Sequence, residues 1–230
     1  MKRHLKSIAA PKTWFINRKK NVFIIRPNPG AHSLDLGLPL GVIIRDQLKL
    51  VLTTSEVKKM LRINEVLVDG RRRTDIHFIV GLFDTISIPS LGQHYRVQLD
   101  RKGRLVLVEI TAAESKTKLC KVVGKTVLPK GKIQLNLHDG KNIVTEVKAG
   151  IGDTLLMELP KLKVQKVLHL KPGAAVFLTQ GKHIGNPGGL TEIKGKEAKY
   201  AVDGQEIETV RDYLFVVGEK ELRNSEYKHH

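Results

Sequence analysis

Hydrophobic and polar positions change their period several times along this chain, and each change marks an element. Leu40, Ile43, Ile44, Leu48 and Val51 recur at helical intervals and predict a first helix over residues 39–52. Pro39 suits its first position, where a missing N–H leaves no partner wanting. Arg45 and Lys49, four apart, share the opposite face. Thr53 and Glu56 stand at capping-box spacing, so a second helix opens there, burying Val57, Met60 and Leu61 and exposing Lys58, Lys59 and Arg62. The period then falls to two. Val66, Leu67 and Val68 read as a strand, and Asp69-Gly70 as a type I′ turn whose two central residues need φ > 0. Arg71, Arg72 and Arg73 follow on the return strand, and a further strand over residues 85–88 comes after Gly81 and Asp84. Cations on one helix face and beside a hairpin turn make a compact phosphate-binding surface, with ordinary solvated charge around a small core as the less favoured alternative.

From 95 to 170 the pattern is nearly all strand. Residues 95–99 and 105–110 flank Asp100-Arg101-Lys102-Gly103, a hairpin signal. Residues 112–118 suit one short helix. Residues 133–137 alternate and turn at His138-Asp139-Gly140-Lys141 into 142–144, and 155–159 and 163–170 make two more strands. Strands this short and this regularly spaced suggest a small sandwich or barrel. A last unit runs from 171 to 218, with a strand over 174–178 and a glycine-rich turn over 181–190. Its glycines permit positive φ and close backbone approach. The chain therefore reads as α+β, predominantly β, in several modules: a basic extension (1–38), a small α/β domain (39–94), a central β domain (95–170), a C-terminal β module (171–218) and a polar tail (219–230).

Charge then narrows the function. Forty Lys and Arg against 23 Asp and Glu give a formal +17 over 230 residues. Such an excess repels itself unless a polyanion neutralises it, which points first to nucleic acid and second to an anionic membrane. No apolar run approaches the ~20 residues of a spanning helix. The first residues lack a signal peptide's apolar core, so a cytoplasmic location is expected. Before the first acid, Asp35, stand Lys2, Arg3, Lys6, Lys12, Arg18, Lys19, Lys20 and Arg26, interleaved with Trp14, Phe15 and Phe23 and broken by prolines. This suggests an extended arm that neutralises phosphates while its rings stack on bases. The alternative is a tail whose Trp14 and Phe15 patch the neighbouring domain.

A search for catalytic chemistry finds little. Gly124-Lys125-Thr126 imitates the end of a P-loop, but Leu119 stands where the first glycine is needed. Nine histidines include no helical metal pair. Cys120, the single cysteine, allows neither an internal disulfide nor a thiolate cluster and reads as a small buried hydrophobe. Asp69, Asp75 and Asp84 read as turn and loop residues. No metal, cofactor or small-molecule substrate is expected.

The two helices and hairpin of residues 39–88 resemble the S-four-type RNA-binding domain. By that resemblance Arg45, Lys49, Lys58, Lys59, Arg62, Asn64, Arg71, Arg72 and Arg73 lie on or near an RNA face, with Gly70 and Gly81 as structural glycines. The opening His4-Leu5-Lys6, Ala9-Ala10-Pro11-Lys12 with Trp14, and Arg26-Pro27-Asn28-Pro29-Gly30 is similar to the start of the ribosomal protein S-four-e family. So are Val68-Asp69-Gly70, Arg73-Thr74-Asp75 and residues 84–88, and the likeness runs over essentially the whole chain. One departure is Ile79, where the family favours a proline. Residues 181–190 resemble a KOW motif, the hairpin of an SH3-like barrel, with Gly185 as its characteristic glycine and Lys182 and His183 beside the exposed turn. A purely structural turn fits the same residues.

The resemblance implies a non-catalytic constituent of the small ribosomal subunit. Its partners would be small-subunit ribosomal RNA and neighbouring ribosomal proteins, with no membrane role. Two other readings stay open. One is an RNA-modifying enzyme or its accessory, since S-four-type domains occur on such enzymes. The other is a transcription- or translation-associated RNA-binding factor.

Overall fold

The computed structural model describes residues 4–202 and 204–218; Lys2, Arg3 and the tail with His229 and His230 lie outside them. The fold is α+β and mostly strand. It divides into two compact units. The first holds the residues up to Gln98 together with Arg104–Lys118 and Leu159–Lys161. The second holds Leu99–Gly103, Leu119–Glu158 and the chain from Leu162 onward.

In the first unit the basic N-terminal segment is folded, which corrects the expectation of an extended arm. β1 (His4–Lys6) pairs antiparallel with β2 (Phe23–Ile25). Between them Arg18 donates from its guanidinium to the carbonyls of Ser7, Ile8, Ala10 and Pro11 at 2.6–3.3 Å. Trp14 is only 2% exposed. Its indole N–H donates to the carbonyl of Leu34 at 3.0 Å, and its backbone bridges to Leu105. An apolar ring with one satisfied donor belongs in a core. Trp14 therefore takes the patching role, and its ring is not on the surface for stacking. Phe15 remains about half exposed, beneath the guanidinium of Arg104 at 4.7 Å.

β3 (Gly37–Pro39) pairs with β6 (Ile79–Gly81). Pro39 thus ends a strand with ψ 138 and caps the following helix instead of opening it. That helix is shorter than its apolar period suggests: α1 (Leu40–Val42) runs into a π-type turn over Ile43–Gln47. Leu48 N–H closes on the carbonyl of Ile43 at 2.9 Å, and Lys49 at φ 54 stops the element. Lys49 is therefore outside the helix face assigned to it. α2 (Thr54–Ile63) begins as expected. The Thr53 hydroxyl accepts from Glu56 N–H, and the Glu56 carboxylate accepts from Thr53 N–H. Val57 and Leu61 are fully buried, while Met60 is half-buried because it lies at the edge of the apolar stripe.

β4 (Leu67–Val68), β5 (Arg71–Arg72), β7 (Thr85–Ile88), β8 (Gln93–Leu99) and β9 (Leu105–Glu109) form one five-stranded sheet in the order β5-β4-β7-β8-β9. Ile79 lies in β6 opposite Pro39. Its side chain fills space that bare Gly30 and Gly37 leave, since a Cβ on either would come within 2.7 Å of it.

The expected helix at 112–118 is one 3-10 turn (Glu114–Lys116), after which Thr117 and Lys118 already belong to β10 (Thr117–Val127). In the second unit β10 joins β11 (Ile133–Leu137), β12 (Asn142–Val144), β13 (Thr154–Glu158) and β14 (Lys163–Leu168) in the order β12-β11-β10-β13-β14. Cys120, Val122, Leu135, Leu137, Leu155 and Met157 face its core. Gly124-Lys125-Thr126 lies within β10, as a strand and not a phosphate loop. A second five-stranded sheet comprises β15 (Ala175–Leu178), β16 (Pro187–Lys194), β17 (Glu197–Val202), β18 (Gln205–Val210) and β19 (Leu214–Gly218), ordered β18-β17-β16-β15-β19. Val176, Leu178, Leu190, Tyr200, Leu214 and Val216 pack together there with Leu168 of β14.

Candidate nucleic-acid interface

The β4–β5 turn is built by its residues and then bolted from below. Asp69 (φ 51) and Gly70 (φ 71) take the two left-handed positions of a type I′ turn. Pro160 closes over the turn, so a Cβ on Gly70 would meet it at 3.1 Å. One carboxylate oxygen of Asp69 accepts from Thr85 N–H at 3.1 Å, and the other accepts from the Lys118 ammonium at 2.7 Å. Lys118 has no exposed side-chain surface, and it donates to Asp84 as well, at 2.5 Å. The other oxygen of Asp84 meets Gly81 N–H at 2.9 Å and His32 Nε2 at 3.0 Å. Burial alone would push the Asp84 carboxyl up. Lys118 first, then His32 and the Gly81 N–H, outweigh it and hold Asp84 well below the usual carboxylate range. Gly81 is bare because the His32 ring lies against it; a Cβ there would overlap the imidazole. One buried ammonium thus ties the hairpin turn, β7 and residue 32 together.

Above this anchor the cations collect. Lys58, Lys59 and Arg62 are exposed on α2, and Arg71 and Arg72 are exposed on β5. Arg72 donates to the carbonyl of Arg62 at 2.9 Å, which joins the hairpin to the last turn of the helix. Asn64 caps that helix, half-buried. Among the described residues none of these five cations has a carboxylate within 4.0 Å. Other expected residues do different work. Arg45 forks onto Asp46 at 2.7 and 2.9 Å and reaches Thr54 at 3.1 Å. Arg73 is half-buried with its guanidinium 4.3 Å over the Phe78 ring. Lys6, Lys12, Lys19, Lys20, Arg26 and Lys49 are exposed, while Arg18 is occupied by its four carbonyls.

In the second unit the glycine-rich turn leads from β15 to β16. Gly185 (φ 83) donates to the carbonyl of Leu178 at 2.9 Å. A Cβ on it would stand 1.9 Å from the carbonyl oxygen of Asp100, so only glycine allows the two backbones to meet. Lys182 is exposed and His183 half-buried. Cys120, His138 and Asp139 also come together, within 4.8 Å of one another. The Lys141 ammonium takes the Asp139 carboxylate at 3.0 Å, and Lys121 N–H donates to His138 Nδ1 at 3.2 Å. Those bonds account for the group as a lock on the β11–β12 turn. Burial pulls the Lys121 ammonium down to about 8; Asp212 opposes this and Arg211 reinforces it.

The ribosomal family S4e matches residues 91–164, and the RS4NT domain matches residues 1–35. The small ribosomal subunit protein eS4 of Methanocella arvoryzae is 42% identical over 221 residues, covering 94% of each chain. That of Methanocaldococcus jannaschii is 41% identical over 96% of each. The chain belongs to the S4e family of ribosomal proteins. The crystal structure of the 30S ribosomal protein S4e from Thermoplasma acidophilum superposes with a TM-score of 0.70 at 33% identity, covering 80% of this chain and 96% of that one. S4e membership fits the cationic surface, and these relatives are named as ribosomal components and not as enzymes.

Two functional side chains escape a linear reading. Lys118 looks like one more surface cation in an alternating stretch. Its only signal is phase: it falls on the same side of β10 as Cys120 and Val122, both of which are buried. Arg18 carries no signal at all, because its partners are backbone carbonyls.

Proposed function

We propose that this chain is a non-catalytic structural constituent of the small ribosomal subunit that binds small-subunit ribosomal RNA. The observation that carries this reading is the joined surface of Lys58, Lys59, Arg62, Arg71 and Arg72, rigidly mounted and without carboxylate partners among the described residues. On this reading residues 39–94 act as the S-four-type face, and the folded basic segment before them adds phosphate contacts through Lys6, Lys12, Lys19, Lys20 and Arg26. The central β domain spans 95–170. Residues 171–218 form the KOW-type module, with Lys182 and His183 at its turn. Neighbouring ribosomal proteins cover part of the remaining surface, in a cytoplasmic particle. Because A-form RNA hides its major groove, recognition rests on backbone, 2′-hydroxyl and junction shape.

Sedimentation of cell lysate at low and high salt tests this. Stoichiometric co-migration with small subunits, lost only in strong salt, is the expected result. A chain found mainly outside ribosomes at low salt overturns it. With purified components, log affinity should fall with log salt by roughly 0.7–0.9 per phosphate neutralised, and a flat response counts against the mechanism.

A further inference from the structure

The outward face of β10–β11–β12 has no role in the reading above, yet its composition is specific. Residues directly opposite in antiparallel strands share a face. The register places Thr126, Gln134 and Val144 in one row, and Gly124, Asn136 and Asn142 in the next. The opposite faces of these strands carry Leu135, Leu137 and Ile143 into the core. The outward rows contain no acid and no cation. They form a ladder of neutral bifunctional groups: Gln134 Nε2 donates to Asn136 Oδ1 at 3.0 Å, and Asn136 Nδ2 donates to the Thr126 hydroxyl at 3.3 Å. Gly124 lies directly opposite Asn136 and presents no side chain there. Each amide is thus held in place while keeping hydrogen-bonding capacity in hand. Val144 is 56% exposed beside them. At the projecting end of the β10–β11 hairpin stand Lys130 and Lys132, both exposed and without a carboxylate within 4.0 Å among the described residues, whereas Lys125 lies opposite Leu135 and so belongs to the other face.

We infer that this face docks in the minor groove of a double-helical RNA segment, with the amide ladder on 2′-hydroxyls and base edges and the two lysines on the flanking phosphates. The inference rests on the reading that the chain binds ribosomal RNA, and it adds a second, chemically different contact. The minor groove of A-form RNA is wide and shallow and displays 2′-hydroxyls, which both donate and accept. Amides and a hydroxyl match that demand, whereas a phosphate-only contact would use charge. A neutral polar face with cations at its rim suits a polyanion better than a protein–protein interface, where lysine is depleted.

The test uses the full chain and a small-subunit ribosomal RNA fragment that the wild type binds, with thermal melting to confirm that each variant folds. Gln134→Ala with Asn136→Ala should weaken binding about tenfold and leave the salt slope unchanged, since no charge is lost. Lys130→Ala and Lys132→Ala together should lower the slope by about 1.4–1.8. Ribose acylation mapping should show a wild-type protected patch of 2′-hydroxyls that opens only with the amide variant. If the wild type binds but the amide variant binds equally and protects the same riboses, the docking face is wrong and RNA binding stands. If the wild type itself fails to bind, both fall. Should the amide variant prove unstable, Asn136→Asp keeps the shape and is expected to weaken binding more than Asn136→Ala. Equal or tighter binding by Asn136→Asp overturns the inference.

Discussion

Lys118→Met is the most exacting test of the buried anchor. The substitution fills nearly the same volume, so no cavity opens, but the ammonium between Asp69 and Asp84 disappears. Asp69 keeps Thr85 N–H, and Asp84 keeps Gly81 N–H and His32, so both carboxylates stay hydrogen-bonded and under-compensated in charge. Removing one partner of a buried ion pair costs about 3–5 kcal/mol. In a chain of this size each kcal/mol moves the melting temperature by about 2–4 °C, so the loss should be about 6–20 °C. The pH dependence gives a second handle. In the wild type the Asp84 carboxyl sits below its ordinary 3.8. Its stabilising contribution is complete above that value and is lost as pH falls through the folded one. In the variant, burial loses its largest opponent and pushes the carboxyl up, so protonation relieves the variant first. The gap in stability should therefore narrow as pH drops from about 7 toward about 4, followed by calorimetry or urea titration at each pH. Adding Asp69→Asn and Asp84→Asn should recover much of the loss. A deficit below about 1 kcal/mol at neutral pH, or one that does not change with pH, refutes the account of Lys118.

Other outcomes follow from the same geometry. Thr53→Ala removes the hydroxyl that caps α2 and should cost about 1 kcal/mol in denaturant titration, with Thr53→Ser largely restoring it; equal losses for both would reject the cap. Gly70→Ala must hold φ near 71 against Pro160 and should destabilise by about 1–2 kcal/mol, whereas Gly92→Ala, at φ 64 with open space around it, should show only the backbone part of that cost. For Lys121, whose ammonium titrates at about 8 when folded and 10.5 when unfolded, the unfolded chain holds the proton longer. Stability should then rise from about pH 8 upward relative to Lys121→Met, and a constant difference over about pH 7–10 would dismiss the effect. Arg71→Ala with Arg72→Ala should lower the salt slope of RNA binding by about 1.4–1.8 without unfolding the chain; binding unchanged within error would take the hairpin off the RNA surface.

Where local chemistry decides the backbone, the linear chain was legible. Thr53 with Glu56 and Asp69 with Gly70 satisfy their own N–H groups or torsions within four residues, and both stand where the pattern places them. The strands about Asp100–Gly103 and about His138–Lys141 follow for the same reason. Tertiary competition explains the failures. Pro39 looks like a helix start until Ile79 offers it a strand partner, and Val51 keeps a helical rhythm after Lys49 has turned the chain. The basic segment reads as a free arm because its anchors are non-local: Thr13 and Trp14 meet Leu105, and Asn28 meets Asp75. Charged side chains were hardest to place, since a lysine facing solvent and one sealed between two aspartates look alike in one dimension. Arg73 shows the same ambiguity, sharing its triplet with two exposed arginines yet lying over Phe78.

The buried position of Lys118 also bears on how the chain can leave and rejoin its complex. Dissolved ions dampen attraction between groups that water reaches, and scarcely touch a pair that water cannot. Concentrated electrolyte should therefore loosen the outer cations while the inner clasp of Lys118, Asp69 and Asp84 stays shut. Extraction then yields an intact molecule, fit to be put back once the electrolyte is diluted.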